Sequence, residues 1–452
     1  MATLDTTTVP TAPGTGRLPV YRLKGRKLTR FLMSLQQPDQ VGPLAQIEGG
    51  SDIVHITAGG GDVMIIRNAH HMRQVMVTNQ DAYVKGDDYK ILAVLLGQGL
   101  LTNFDQALWQ RQRALVQPLF AKRHLAPMGT HMTDAASAWL DHLDETHADG
   151  EVLELGQAMM GLTLDVVGRA LFGASIDGRK TEIVGDAMND VLHAAGANIR
   201  VVGLYRVLTR LFGVEFSDLL RLRFRHWSKA MRATAALDAI VDGLIDGKNA
   251  KGEGGDDLLS LLLAARDEQG GDMPRTQVRD EVMTFLGAGH ETTANAMTWM
   301  WLLLSQYPEA RKRMQAEVDE VLGGRRPTFD DLGSLPWTNA VFQEAMRLYP
   351  PVPAFTRVCK VEDEIDGVRV PRNTVMVLVP YLLHRDPEHW PNPEGFDPER
   401  FMPGNTAGRH KQAYMPFGAG RRICVGNGFS LMEGVLLAAM TAQRFEFDLV
   451  RG

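Results

Sequence analysis

Ten residues near the C-terminus, Phe417-Gly418-Ala419-Gly420-Arg421-Arg422-Ile423-Cys424-Val425-Gly426, gather a thiol, cations and glycines in one short stretch. A sulfur that stays ionised as an iron ligand requires positive potential and amide donors. Arg422 and a glycine-rich turn opening a helix over 427–440 supply both. Glycines at 418, 420 and 426 let the backbone fold tightly under a flat macrocycle, where a Cβ would clash. Phe417 shields the sulfur. The competing reading of Cys424 is an ordinary buried thiol.

A second constellation, Gly287-Ala288-Gly289-His290-Glu291-Thr292-Thr293, falls in the middle of a helical stretch from Gln277 to Tyr307. Each glycine there costs the helix about 1 kcal/mol relative to alanine, so something must approach the backbone closely. An acid followed by threonine in a locally opened turn holds water, orients bound dioxygen and relays protons to it. Taken alone, Glu291-Thr292 also reads as a solvated helix face. A third pair, Glu344 and Arg347, has the i,i+3 spacing that sets a carboxylate and a guanidinium side by side.

The C-terminal stretch meets the pattern FxxGxRxCxG at every fixed position, and that pattern is the signature of the cytochrome P-450 family. In the family's order stand AGx(D/E)T(T/S) at Ala288 to Thr293, ExxR at Glu344 and Arg347, and PERF within Phe396-Asp397-Pro398-Glu399-Arg400-Phe401. The chain thus resembles a soluble, bacterial-type cytochrome P-450 over roughly residues 45–450. The resemblance implies a mainly α fold with a small β region, and haem b bound through Cys424 as the iron ligand. Phe417, Gly418 and Gly426 shape the cysteine loop. Trp109, Arg113, Arg357 and Arg422 meet the haem propionates, with Trp109 and Arg113 at i,i+4 reaching the same one. Spacing alone also allows a core Trp and an exposed Arg. Ala288 lies against the haem, Glu291 and Thr292 are catalytic, and Glu344, Arg347 and Arg400 form a structural ion network on the proximal side. Leu100, Leu101, Phe285, Ala288, Val352, Pro353 and Ala354 line an apolar substrate cavity, roofed by Leu204, Tyr205, Val207 and Leu208. Each of these apolar residues also reads as plain core.

The activity so implied is monooxygenation. Dioxygen is split, and a hydrophobic small molecule of the lipid, terpenoid, steroid or polyketide class is hydroxylated or epoxidised. No flavin or ferredoxin segment is evident in 452 residues, so electrons come from NAD(P)H through a separate ferredoxin or flavodoxin with its reductase. A haem-thiolate peroxygenase or isomerase would need no acid–threonine relay, and a non-enzymatic haem sensor would need neither the relay nor a closed apolar pocket.

Composition agrees with an ordinary globular protein, at 44% hydrophobic and 23% charged residues. A net charge of −6 argues against nucleic acid as a partner. Two cysteines, Cys359 and Cys424, leave no disulfide framework or iron–sulfur set and point to a reducing, cytoplasmic compartment. The first thirty residues hold Thr, Pro and Gly, then Arg17, Arg22, Lys24, Arg26, Lys27 and Arg30, with no long apolar run. No signal peptide or membrane anchor is expected. A mitochondrial presequence is the rival reading, which Pro10, Pro13 and Pro19 disfavour.

These groups require a scaffold. Periodicity predicts helices over 105–118, 130–146, 153–172, 179–196, 226–247, 257–269, 276–307, 308–322, 336–348 and 427–440. Alternation predicts a hairpin from Asp52 to Thr57 and Val63 to Arg67, turning at Gly59 to Asp62, with short strands at 354–360, 368–379 and 444–450. Residues 247–257 read as a surface loop, Cys359 as a buried strand residue and His290 as a groove residue. The expected organisation is a disordered segment over 1–17 and one haem domain over 18–452, acting as a monomer.

Overall fold

The computed structural model describes residues 20–23, 52–58, 61–176, 179–197, 225–251, 255, 257–266 and 271–450. The expected segment 1–17 and the roof at 204–208 lie outside the described residues. The chain is mostly helical, with a six-stranded sheet and a separate two-stranded hairpin. Among the described residues the eight strands in chain order are β1 (Val20–Leu23), β2 (Ile53–Ala58), β3 (Gly61–Ile66), β4 (Tyr83–Lys85), β5 (Phe355–Cys359), β6 (Asp363–Ile365), β7 (Val368–Val370) and β8 (Val375–Leu378). The larger sheet runs β1-β2-β3-β8-β5-β4. The expected hairpin is β2 against β3, antiparallel, with Ala58 opposite Gly61. Val54, Ile56 and Ile65 pack together on one face, while Ile53, Met64 and Ile66 join a second cluster on the other.

The helix Arg275–Gln306 is the central strut. Its 32 residues span about 48 Å. It opens after Pro274 and stops before Pro308, which starts the helix Pro308–Leu322. Its buried residues, from Val278 through Leu304, point in every direction around the axis, as expected of a helix packed on all sides. It packs along the helix Leu155–Phe172 and against Pro336–Leu348 and Asn427–Ala442. Helix starts are set by side chains: Asp105 accepts the amides of Ala107 and Leu108 at 2.9 and 3.0 Å, and Asp257 accepts that of Ser260 at 3.0 Å.

Five expected boundaries differ. Helix 257–269 ends at Ala264, where Ala265 turns extended and Arg266 bridges to Asp272. Helix 130–146 begins at Lys122 and carries Pro127 within its first turns, where the missing N–H costs the helix one ladder bond. Helix 226–247 continues to Lys251, so part of the expected loop is helical. The stretch 368–379 is two strands, parted by a turn in which Asn373 has φ +67. Residues 444–450 form no strand. They are seated by side chains instead: Phe447 meets Trp301 edge-on at 5.3 Å, and Arg311 donates to the Phe447 carbonyl at 3.2 Å. Sequence reading missed β1, β4, β6 and the helices Ala69–Arg73 and Tyr89–Leu96.

Candidate active site

The cysteine loop joins two tight turns to the helix Asn427–Ala442. Gly418 and Gly420 hold φ of +72 and +69, which an L-residue adopts only under strain. At Gly420 a Cβ would also run into the Met76 carbonyl oxygen. Gly426 has φ −88, and a Cβ there would stand 4.0 Å from Cys424 Sγ, an ordinary contact. The Cys424 amide donates to the Phe417 carbonyl at 2.9 Å, and Arg113 donates to the Ile423 carbonyl at 2.7 Å. These bonds hold the thiol from both sides.

Cys424 is exposed, yet protein encloses it so closely that burial pushes its thiol up from the ordinary value. A donor bond from the Gly426 amide and the positive charge of Arg113 oppose that rise. Exposed and enclosed together mean that Sγ opens onto a deep cleft. Ala288 has the same character: it is exposed at the midpoint of a helix whose neighbouring turns are buried, with Glu291 and Thr292 half-buried beside it.

Beside the cleft three cations crowd together. Lys85 and Arg357 are 7% and 8% exposed, and Arg422 is half-buried with its guanidinium 4.2 Å over the Trp109 ring. Burial and the charges of Arg422 and Arg357 hold Lys85 well below the usual lysine range. Burial and Arg357 bring Arg422 down to about 10. The nearby acid, Asp88, is itself pushed up by burial and accepts a bond from Thr356. Three desolvated cations beside a poorly ionised acid are expensive unless an anion joins them. The propionates of a haem fit that need, and the accessible thiol two residues beyond Arg422 fits its iron.

The structure gives Trp109 and Arg113 separate partners. Trp109 is covered by Arg422, while Arg113 turns to the cysteine loop and Gln117. Lys85 was missed by sequence reading. Its signal was the alternation Tyr83-Val84-Lys85, in which Tyr83 and Lys85 both face inward.

On the long helix, Thr292 Oγ1 donates to the Ala288 carbonyl at 2.7 Å, and burial raises the Glu291 carboxyl. The helix is continuous through 287–293, so the local opening expected there is absent. His290 does not sit in a groove. It is buried, with Nδ1 2.7 Å from the Leu286 carbonyl oxygen, and its own carbonyl accepts from Thr163 at 2.9 Å.

Glu344 and Arg347 form a two-pronged pair at 2.7 and 2.8 Å. Arg347 also donates to the carbonyls of His384, Pro393 and Gly395 at 2.8, 2.7 and 2.9 Å. Glu344 accepts the Asp397 amide at 2.9 Å and lies 3.4 Å from Arg400 Nε. The ExxR and PERF elements therefore meet in one buried network.

The apolar candidates divide. Leu100 and Phe285 are buried, and the Phe285 ring lies 5.7 Å from that of Phe120. Leu101, Pro353 and Ala354 are half-buried, and Val352 is exposed. Among the described residues no helix is long and apolar enough to cross a membrane.

Comparison with known proteins gives the same answer as the site. The chain matches the cytochrome P-450 family over residues 46–452. It is 36% identical to cytochrome P-450 132 of Mycobacterium tuberculosis, covering 96% of this chain and 92% of the relative. It is 35% identical to cyclooctatin synthase of Streptomyces melanosporofaciens, with 90% and 86% covered, and 33% identical to pentalenene oxygenase of Streptomyces avermitilis, with 88% and 85% covered. The chain belongs to the cytochrome P-450 family and is an oxidoreductase of that family's monooxygenase kind.

Proposed function

We propose that this protein binds haem b through Cys424 and hydroxylates or epoxidises a hydrophobic small molecule of the terpenoid class. Electrons reach it from NAD(P)H through a ferredoxin or flavodoxin and its reductase, and its compartment is the cytoplasm. The observation that carries the reading is an accessible thiol inside a deep cleft with Lys85, Arg357 and Arg422 crowded beside it. The terpenoid class is supported by the relatives named for cyclooctatin and pentalenene.

When bound, a thiolate-ligated haem supplies the reductive cleavage of dioxygen and the transfer of one oxygen atom to a C–H or C=C bond. The chain does the rest. Cys424 Sγ ligates iron, its ionised form favoured by the Gly426 amide and Arg113. Lys85, Arg357 and Arg422 hold the two propionates, with Trp109 stacked under Arg422. Glu291 exchanges protons closer to neutrality than an exposed glutamate, because burial raises it. Thr292 donates its hydroxyl hydrogen bond to the Ala288 carbonyl, which leaves its oxygen lone pairs free to accept from a delivered water. Leu100, Leu101, Phe285, Ala288, Val352, Pro353 and Ala354 wall the substrate and exclude water.

The test compares purified wild type with Cys424→His. Wild type is expected to show the red-shifted band of the reduced carbon monoxide complex and to consume NAD(P)H with a surrogate ferredoxin system only when a terpene hydrocarbon is added. The variant is expected to lose the band. A band that persists in Cys424→His would overturn the ligand assignment. NAD(P)H consumption indifferent to every terpene tried would overturn the substrate class.

A further inference from the structure

Residues 97–103 join the helices Tyr89–Leu96 and Gln106–Val116 and pass over the N-terminal half of the long helix. Two consecutive acids of that helix catch the loop by its backbone. Asp280 accepts the Gln98 amide at 2.8 Å, and Glu281 accepts the Leu100 amide at 3.0 Å. The loop rests directly on the helix. A Cβ on Gly99 would overlap the Thr284 hydroxyl and the Asp280 carbonyl oxygen, and one on Gly97 would overlap the Asp280 carboxylate. From the other side Gln112 donates to the Gln98 carbonyl at 2.8 Å, and Lys85 donates to the Leu101 carbonyl.

Glu281 is the costly member of this set. It is fully buried, whereas Asp280 is half-buried. Among the described residues its second oxygen, Oε1, has no hydrogen-bond partner, and neither has the buried Thr284 hydroxyl one turn along. Packing alone would be served better by leucine at that place, since a desolvated carboxyl with one idle oxygen costs free energy. What the carboxyl supplies is an acceptor for the Leu100 amide. Its position on the helix matters as well. Glu281, Phe285, Ala288 and Thr292 recur at intervals of four, three and four residues, which places them on one face. The tether thus hangs Leu100 over the same stripe that carries the proposed substrate wall and the acid–threonine pair.

We infer that Glu281 is a positioning residue that fixes the height of the 97–103 loop over the cleft, and that it thereby selects which carbon of the substrate is presented for oxidation. The selectivity half of this inference rests on the proposed function; the tether itself does not. Burial raises the Glu281 carboxyl to about 8, so at neutral pH its acceptor is mainly a neutral carboxylic acid, which a glutamine side chain reproduces.

The test uses the haem-loaded protein as wild type, Glu281→Gln and Glu281→Leu. Backbone amide exchange of the peptide covering 97–103 is followed by mass spectrometry, and the regioisomer ratio is measured for a cyclic sesquiterpene hydrocarbon. Glu281→Gln is expected to leave both readouts unchanged and serves as the conservative control. Glu281→Leu is expected to speed exchange of that peptide at least tenfold and to change the dominant regioisomer, with haem content and the carbon monoxide spectrum kept. Should Glu281→Leu fail to fold, Gly99→Ala lifts the same loop from its other contact and is expected to shift the regioisomer ratio likewise. Unchanged exchange in Glu281→Leu would overturn the tether. Faster exchange with an unchanged product ratio would overturn its part in selectivity. If wild type oxidises no terpene, the functional reading fails while the exchange result still decides the tether.

Discussion

Glu344 and Arg347 face each other one helical turn apart with neither side chain reached by solvent, and each also binds backbone from the 384–397 segment. Burial raises the Glu344 carboxyl in spite of Arg347 and the Asp397 amide, so the pair is held by geometry against a desolvation cost. Removing one partner leaves an uncompensated buried charge, at a cost of about 3–5 kcal/mol. That is a large part of the stability of a typical domain. Glu344→Ala is therefore expected to accumulate as insoluble or haem-free protein. Normal haem content and an unchanged melting temperature in this variant would show the network to be dispensable.

Thr292 makes one hydrogen bond in this structure, to Ala288 within its own helix, so its loss should leave the fold intact. The expected effect lies in proton delivery. Thr292→Ala should bind substrate as wild type does, with product formation falling about 100-fold and reducing equivalents appearing as hydrogen peroxide. Coupling of product to NAD(P)H equal to that of wild type would remove Thr292 from the relay.

Glu433 gives a pH dependence with a definite sign. Both its carboxyl oxygens are buried, and the Thr293 hydroxyl offsets little of the burial that raises it to about 8. From pH 4.5 to 8 the folded protein keeps a proton that the unfolded chain releases, so this group makes stability fall as pH rises, by about 1.4 kcal/mol per unit at most. Glu281 acts in the same direction. Glu433→Gln should flatten the decline in melting temperature between pH 5 and 8. Parallel curves for the variant and wild type would show that Glu433 titrates at its ordinary value.

The elements carrying local signals were legible in sequence. Cys424, Arg422, the glycines and the Glu344–Arg347 pair lie within a few positions of their partners, and proline stops mark the long helix at both ends. Lys85, Glu281 and Glu433 were not legible. Their burial is made by chain from far away, as with the Leu100 amide that meets Glu281 across 181 positions. A lone acid in a polar helix segment gives no sign that a distant loop will cover it. Alternation also misled at 444–450, where phenylalanines on one side serve packing against Trp301 rather than a sheet.

The electron donor should dock where Cys424 comes closest to the surface, and the family resemblance places the segments that carry Arg111, Arg409, Lys411 and Arg421 on or near that face. Arg409 is withdrawn from it: its guanidinium lies 4.2 Å over Trp390 and donates to the Arg400 carbonyl at 2.8 Å. Arg111, Lys411 and Arg421 are exposed, and Arg421 pairs with exposed Asp81 at 2.5 Å. An exposed pair of this kind is weak and screened by salt, so Arg421 stays available to an acidic partner, with Asp81 as a partial competitor. Stopped-flow reduction by an acidic ferredoxin should therefore slow as salt rises and slow further in the Arg111→Glu, Arg421→Glu double variant. Asp81→Asn should speed it at low ionic strength. Rates indifferent to salt and to all three substitutions would place the donor on another face.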